Sequence, residues 1–145
     1  MKNFIKIAPL ALALIIAPDA YANNNQKIAF VKKMYAEQKR VKNSNAAIQK
    51  YGTAEFKQAL GVFNRNSQIM DCVPLSGDPF FNSNDPDYNA KINYTVNAQG
   101  NVVAHIASYG YHSQSTFVLV KSGNGYKLAD IYYKEGSLKN NLSNC

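Results

Sequence analysis

The chain has 145 residues, 46% of them hydrophobic, with 16 Lys and Arg against 9 Asp and Glu for a formal net charge of +7. That length suits one domain with one core. Two cysteines and no CxxC pair exclude thioredoxin-like redox chemistry and a cysteine zinc cluster.

The first residues carry Lys2 and Lys6, an apolar run from Ala8 to Ala17, and Ala20-Tyr21-Ala22. A positive start, a short apolar core and a small-x-small triplet are the three parts of a cleaved signal peptide. Residues 1–22 are therefore expected to be a leader and 23–145 a single domain in the periplasm or outside the cell. No lipobox cysteine follows the apolar run, so no lipid anchor is expected. No later stretch is apolar and long enough for a membrane helix.

Asn23 to Gln26 reads as a polar tail. From Gln26 to about Lys42, Ile28, Val31, Met34, Tyr35 and Val41 recur at helical spacing. Lys27, Lys32, Lys33, Lys39, Arg40, Lys42 and Lys50 are opposed in this region by Glu37 alone. Such a face attracts anionic polymer or an acidic protein, or is only solvated. Nucleic acid is excluded as a partner by the expected export. Asn43-Ser44 breaks the pattern and caps a short helix through Ile48 and Tyr51. Thr53 caps a third, with Phe56, Ala59, Leu60 and Phe63 on its apolar stripe.

Between Asn64 and Ala90, Pro74, Gly77, Pro79 and Pro86 stand among Asp, Asn and Ser, which is loop chemistry. The period then becomes two. Lys91 to Asn97 is an alternating strand, Asn101 to Tyr111 a second, Ser115 to Lys121 a third and Tyr126 to Tyr133 a fourth. Ser122-Gly123-Asn124-Gly125 predicts a tight hairpin. Gly136-Ser137 opens a last helical turn around Leu138 and Leu142. Helices followed by consecutive antiparallel strands give an α+β domain, with helices across one face of a curved sheet and a concave pocket between.

Cys72 and Cys145, an even pair in an oxidising compartment, read as one disulfide. Two free thiols, or a Cys145 bridge between molecules, are the alternatives.

Two passages resemble a known family. Asp78-Pro79-Phe80-Phe81-Asn82-Ser83-Asn84-Asp85 is similar to the acidic loop of the bacterial domain of unknown function 3828 family. Tyr126-Lys127-Leu128-Ala129-Asp130-Ile131, with Gly136-Ser137-Leu138 and Leu142, is similar to its closing strand and turn, Tyr126 standing where that pattern has tryptophan. The resemblance implies a nuclear transport factor 2-like cone and a small exported protein. It implies no particular activity.

Each chemistry-bearing group has a bland alternative. From Asp85, a calcium-loop pattern places Asp85, Asp87 and Asn89 correctly but then meets Ala90 and Val96 where glycine and an acid belong. Asp78 and Asp85 have the residue types of a glycosidase pair, and also those of an acidic turn. His105 and Asp130 are weak candidates for a proton-transfer dyad in the pocket. The structural alternative is a strand histidine, and an aspartate that accepts from the helix beginning near Gly136-Ser137. Tyr109, Tyr111, Tyr132 and Tyr133 gather near strand ends, where tyrosine serves either an interface or a sheet. The expected function is non-enzymatic binding of a protein or small ligand, through Asp78, Phe80, Phe81, Asp85, Tyr109 and Tyr111, without metal or cofactor. One form is an immunity or inhibitor protein against an envelope-acting toxin. The alternatives are a small hydrolase or isomerase, and an envelope component held by its basic face.

Overall fold

A computed structural model of the full chain describes residues 18–67 and 77–145, with side chains from residue 22 onward. Residues 1–17 of the expected leader, and Cys72 of the expected disulfide, lie outside the described residues. Cys145 is described, and no described cysteine is free.

Three helices lead: α1 (Pro18–Val41), α2 (Ser44–Tyr51) and α3 (Ala54–Asn66). The polar run 23–26 is helical, not a frayed tail. Asparagine is a weak helix former, but extending a formed helix adds a hydrogen bond per residue, and the next turn holds Ile28 and Val31 against the core. Asn43 accepts from the amides of Asn45 and Ala46, and Thr53 from that of Phe56, so the expected caps hold α2 and α3.

The sheet follows: β1 (Lys91–Val96), β2 (Val102–Ser108), β3 (Tyr111–Ser122), β4 (Gly125–Tyr133) and the two-residue β5 (Gly136–Ser137), then α4 (Leu138–Ser143). All neighbours are antiparallel and the spatial order is the chain order. The domain is thus α+β, helices before a five-stranded antiparallel sheet, with a short C-terminal helix.

Two boundaries differ from the sequence reading. The second and third strands meet at a two-residue turn, Tyr109-Gly110, with Ser108 opposite Tyr111. Both turn residues have positive φ, 47° and 81°. A hairpin turn of this kind favours Asn or Gly at the first position, so Tyr109 concealed it. The Gly136-Ser137 segment also pairs with Tyr132 and Tyr133 before the helix starts.

Alternation puts Val102, Ala104, Ile106, Ser115, Phe117, Ile131 and Tyr133 on the inner face, where α1, α2 and α3 cover them with Val31, Met34, Tyr35, Ile48, Phe56 and Leu60. Leu138 and Leu142 of α4 complete the core. Among the described residues, part of the expected concavity is occupied by an aromatic cluster. Tyr35 meets the rings of Phe80, Phe81, Tyr94 and Phe117 edge-on, with centroids 5.5–5.8 Å apart.

Candidate functional site

The stretch 78–85 is a plugged turn. Asp78 and Ser83 form a one-pair antiparallel bridge. The Asp78 carboxylate accepts from the Phe80 amide at 2.8 Å and from Gln38 Nε2 at 2.7 Å. Between these anchors the chain drives Phe80 and Phe81 inward, 0% and 2% exposed. Inner hydroxyls receive the buried carbonyls: Ser115 Oγ donates to Pro79 O at 2.6 Å, Ser113 Oγ to Phe81 O at 3.3 Å, and the Tyr35 hydroxyl to Phe80 O. Phe80 is therefore a core residue rather than a ring surface offered to a partner, a correction to the sequence reading; Phe81, 2% exposed, is also packed inward but still lines the cleft described below. A Phe-Phe pair flanked by turn formers carries the same signal for either role.

Asp78 is half-buried. Burial raises its pKa above the ordinary aspartate value, and the bonds from Gln38 and Phe80 partly oppose that rise. Asp85 is exposed, its amide bonded to Ser83 Oγ at 3.1 Å. The Asp78 carboxylate is engaged by Gln38 and by the Phe80 amide, whereas the Asp85 side chain stands in solvent. Among the described residues, no three His, Cys, Asp or Glu side chains converge on a point where they could hold a metal ion.

The second candidate pair also stays apart. His105 lies opposite Gln114 on β3, and Asp130 opposite Val118. The two strands are separated by β3, and the four-residue offset is roughly 13 Å along it. His105 is exposed and bonds Thr95 Oγ1 at 2.9 Å. Asp130 is 5% exposed and occupied by the C-terminal turn. Its oxygens accept from Ser137 Oγ, from the Lys139 amide at 2.9 Å and from its neighbour Ile131 at 2.8 Å. That is the helix-anchoring alternative, and Ser137 also caps α4 by accepting from Asn140.

The structure does join the loop to the tyrosine hairpin. A cleft of about 190 Å³ opens at one end of the sheet, lined among others by Phe81, Asp85, Asp87, Ser108, Tyr109 and Tyr111. Its walls are fixed from several sides. Asp87 accepts from Ser108 Oγ at 2.8 Å, tying the loop to the end of β2. Asn82 donates to Gln114 O at 3.0 Å and accepts from the Lys134 amide at 2.8 Å, so one side chain spans loop, β3 and the β4–β5 turn. Above this rigid floor Tyr109 and Tyr111 stand 87% and 80% exposed. Of the other tyrosines expected at an interface, Tyr132 is about half exposed and Tyr133 is buried.

Asp87, Asn82 and Ser108 escaped the sequence reading as site residues. Their signal is weak, because Asp, Asn and Ser are ordinary in turns.

The early cations are largely spent on the fold. Lys27 Nζ donates to Gly100 O at 2.8 Å and Lys39 Nζ to Ala90 O at 3.4 Å. Lys32 and Lys42 lie over the rings of Tyr94 and Tyr88, 5.6 and 5.2 Å from the centroids. Lys50 pairs with Glu37 at 2.7 Å. Long cationic side chains laid along an apolar body are a packing device. No helix among the described residues is long and apolar enough to cross a membrane.

No protein-family model, curated protein or solved structure matches this chain.

Proposed function

We propose that this is an exported, non-enzymatic binding protein whose partner seats on the cleft between the 81–87 loop and the Tyr109–Tyr111 hairpin. One observation carries the reading. Tyr109 holds a positive φ that costs a bulky residue conformational energy, yet its ring makes no core and is the most exposed large hydrophobic side chain among the described residues. An exposed aromatic kept at a conformational cost, beside a second one and over a braced cleft, is the composition of an interface anchor.

In its concrete form the protein is an immunity or inhibitor protein that plugs a toxin acting in the cell envelope. The leader-like first 22 residues and the small single domain support this form. The finer fold assignment, a nuclear transport factor 2-like cone of the domain of unknown function 3828 family, belongs to the same proposal. Helices covering one face of an antiparallel sheet support it, and the aromatic plug departs from an open cone. Against the hydrolase or isomerase alternative, His105 and Asp130 stand apart across β3, and Asp78 is engaged by Gln38 and the Phe80 amide.

The test is capture. The purified chain, immobilised and exposed to envelope extract of the parent organism, is expected to retain one component in a one-to-one complex. Retention of nothing across several salt and pH conditions would remove the proposal.

A further inference from the structure

The two histidines of the chain lie outside the cleft, on the outer face of the sheet. They belong to different strands, and the pairing register brings them together. His105 stands opposite Gln114, and Ala107 opposite His112. Side chains alternate between faces along a strand, so residues 105, 107, 112 and 114 share one face. His105 and His112 are therefore diagonal neighbours. That relation sets Cα atoms roughly 7–8 Å apart, with the Cβ atoms closer. Both line a single recess of about 400 Å³, shared with Asn93, Ala107 and Gln114. Ala107 lies beside both rings, and its single methyl leaves the space between them open. Both histidines are exposed.

Neutral imidazole is a preferred ligand of borderline divalent transition metals, with metal–nitrogen distances of about 2.0–2.1 Å. Two rings on a cross-strand diagonal can each point one nitrogen at a common position. A second group favours this. Thr95 Oγ1 is 2.9 Å from His105 Nε2. With Nε2–H donating to the threonine, the lone pair stands on Nδ1, and an outer partner that fixes the tautomer is a regular companion of a ligating histidine. Asn93 and Gln114 flank His105 on its two neighbouring strands and offer amide oxygens as a third donor.

We propose that His105 and His112 form an open two-histidine site on the outer sheet face for a divalent transition metal such as zinc, nickel or copper. Calcium and magnesium, which require several oxygen ligands, are not held there.

Calorimetric titration of the full chain with Zn²⁺ and Ni²⁺, with Ca²⁺ as control, tests this beside His105→Ala and His112→Ala. One ion per chain is expected, weakened at least about tenfold in each variant, with no calcium response. Both positions are exposed, so the variants should keep the parent's thermal midpoint. A second measurement does not depend on them: the ring resonances of both histidines in the parent should move together on adding Zn²⁺. No binding up to millimolar metal would overturn the proposal. So would undiminished binding in either variant, or one ion per two chains.

Discussion

Asp78 is a half-buried carboxylate beside an amide with unused capacity. Gln38 gives its Nε2 to Asp78, while its Oε1 is buried without a hydrogen-bond partner. Asp78→Asn keeps an acceptor for the Phe80 amide and, after the Gln38 amide turns over, supplies an N–H to that oxygen. We expect it to fold within about 1 kcal/mol of the parent at neutral pH, whereas Asp78→Ala strands both donors and costs about 1–3 kcal/mol. Denaturant titration of the three proteins reads the difference.

The same residue fixes a pH dependence. Because burial raises its folded pKa, the native state keeps a proton that the unfolded chain has already released. Stability from this group is therefore greatest below the ordinary aspartate range and falls as pH rises through the raised value. Asp78→Asn abolishes that slope, so parent minus variant stability should decline with rising pH through this window. A flat difference would mean that the carboxylate is effectively solvated.

Tyr109 gives the opposite kind of test. Asparagine accepts the left-handed conformation readily, so Tyr109→Asn should raise stability by about 0.5–1 kcal/mol and weaken partner capture. Thermal melts and retention assays on the same sample separate the two effects.

At the scale of elements, the connection between α2 and α3 docks the helices on the sheet. Gly52 forms a parallel bridge to Leu128, and the Thr53 amide donates to Leu128 O at 2.9 Å. A β-carbon on Gly52 would lie 2.5 Å from the Ile48 carbonyl oxygen, which is backbone and cannot swing away. Gly52→Ala should cost about 1–3 kcal/mol as the junction shifts, measurable by denaturant titration. Unchanged stability would show that the junction bears no strain.

The elements that were legible in the sequence are those with strong periodicity or clear punctuation. Caps at Asn43 and Thr53, the alternation from Lys91 to Val96 and the Ser122–Gly125 turn are local signals, and the structure realises them locally. What stayed hidden is non-local. That Phe80 and Phe81 enter the core depends on Ser113, Ser115 and Tyr35 waiting for their carbonyls from distant parts of the chain. The Tyr109 turn was masked by a residue that turns seldom use. The cleft is half legible: the sequence points to Phe81, Asp85, Tyr109 and Tyr111, but Asp87, Ser108 and Asn82 acquire their roles only through bonds between the loop and distant strands. Asp78, a binding candidate by sequence, does not line the cleft and accepts from Gln38 instead.

For the whole molecule, the basic excess and the binding surface separate. Much of the cationic surplus ties α1 and its end to β1 and the segments flanking it, while the cleft presents Asp85, Asp87 and two tyrosines. A partner at the cleft therefore meets carboxylates and aromatic faces, which suits a surface rich in lysine, arginine or apolar groups. The most direct measurement is side-by-side capture from envelope extract by the parent, by Tyr109→Ser/Tyr111→Ser, and by His105→Ala, whose substitution lies on the other face. The account predicts that the double tyrosine variant loses the stoichiometric partner while the histidine variant retains it. Equal retention by all three would contradict a binding site at the hairpin.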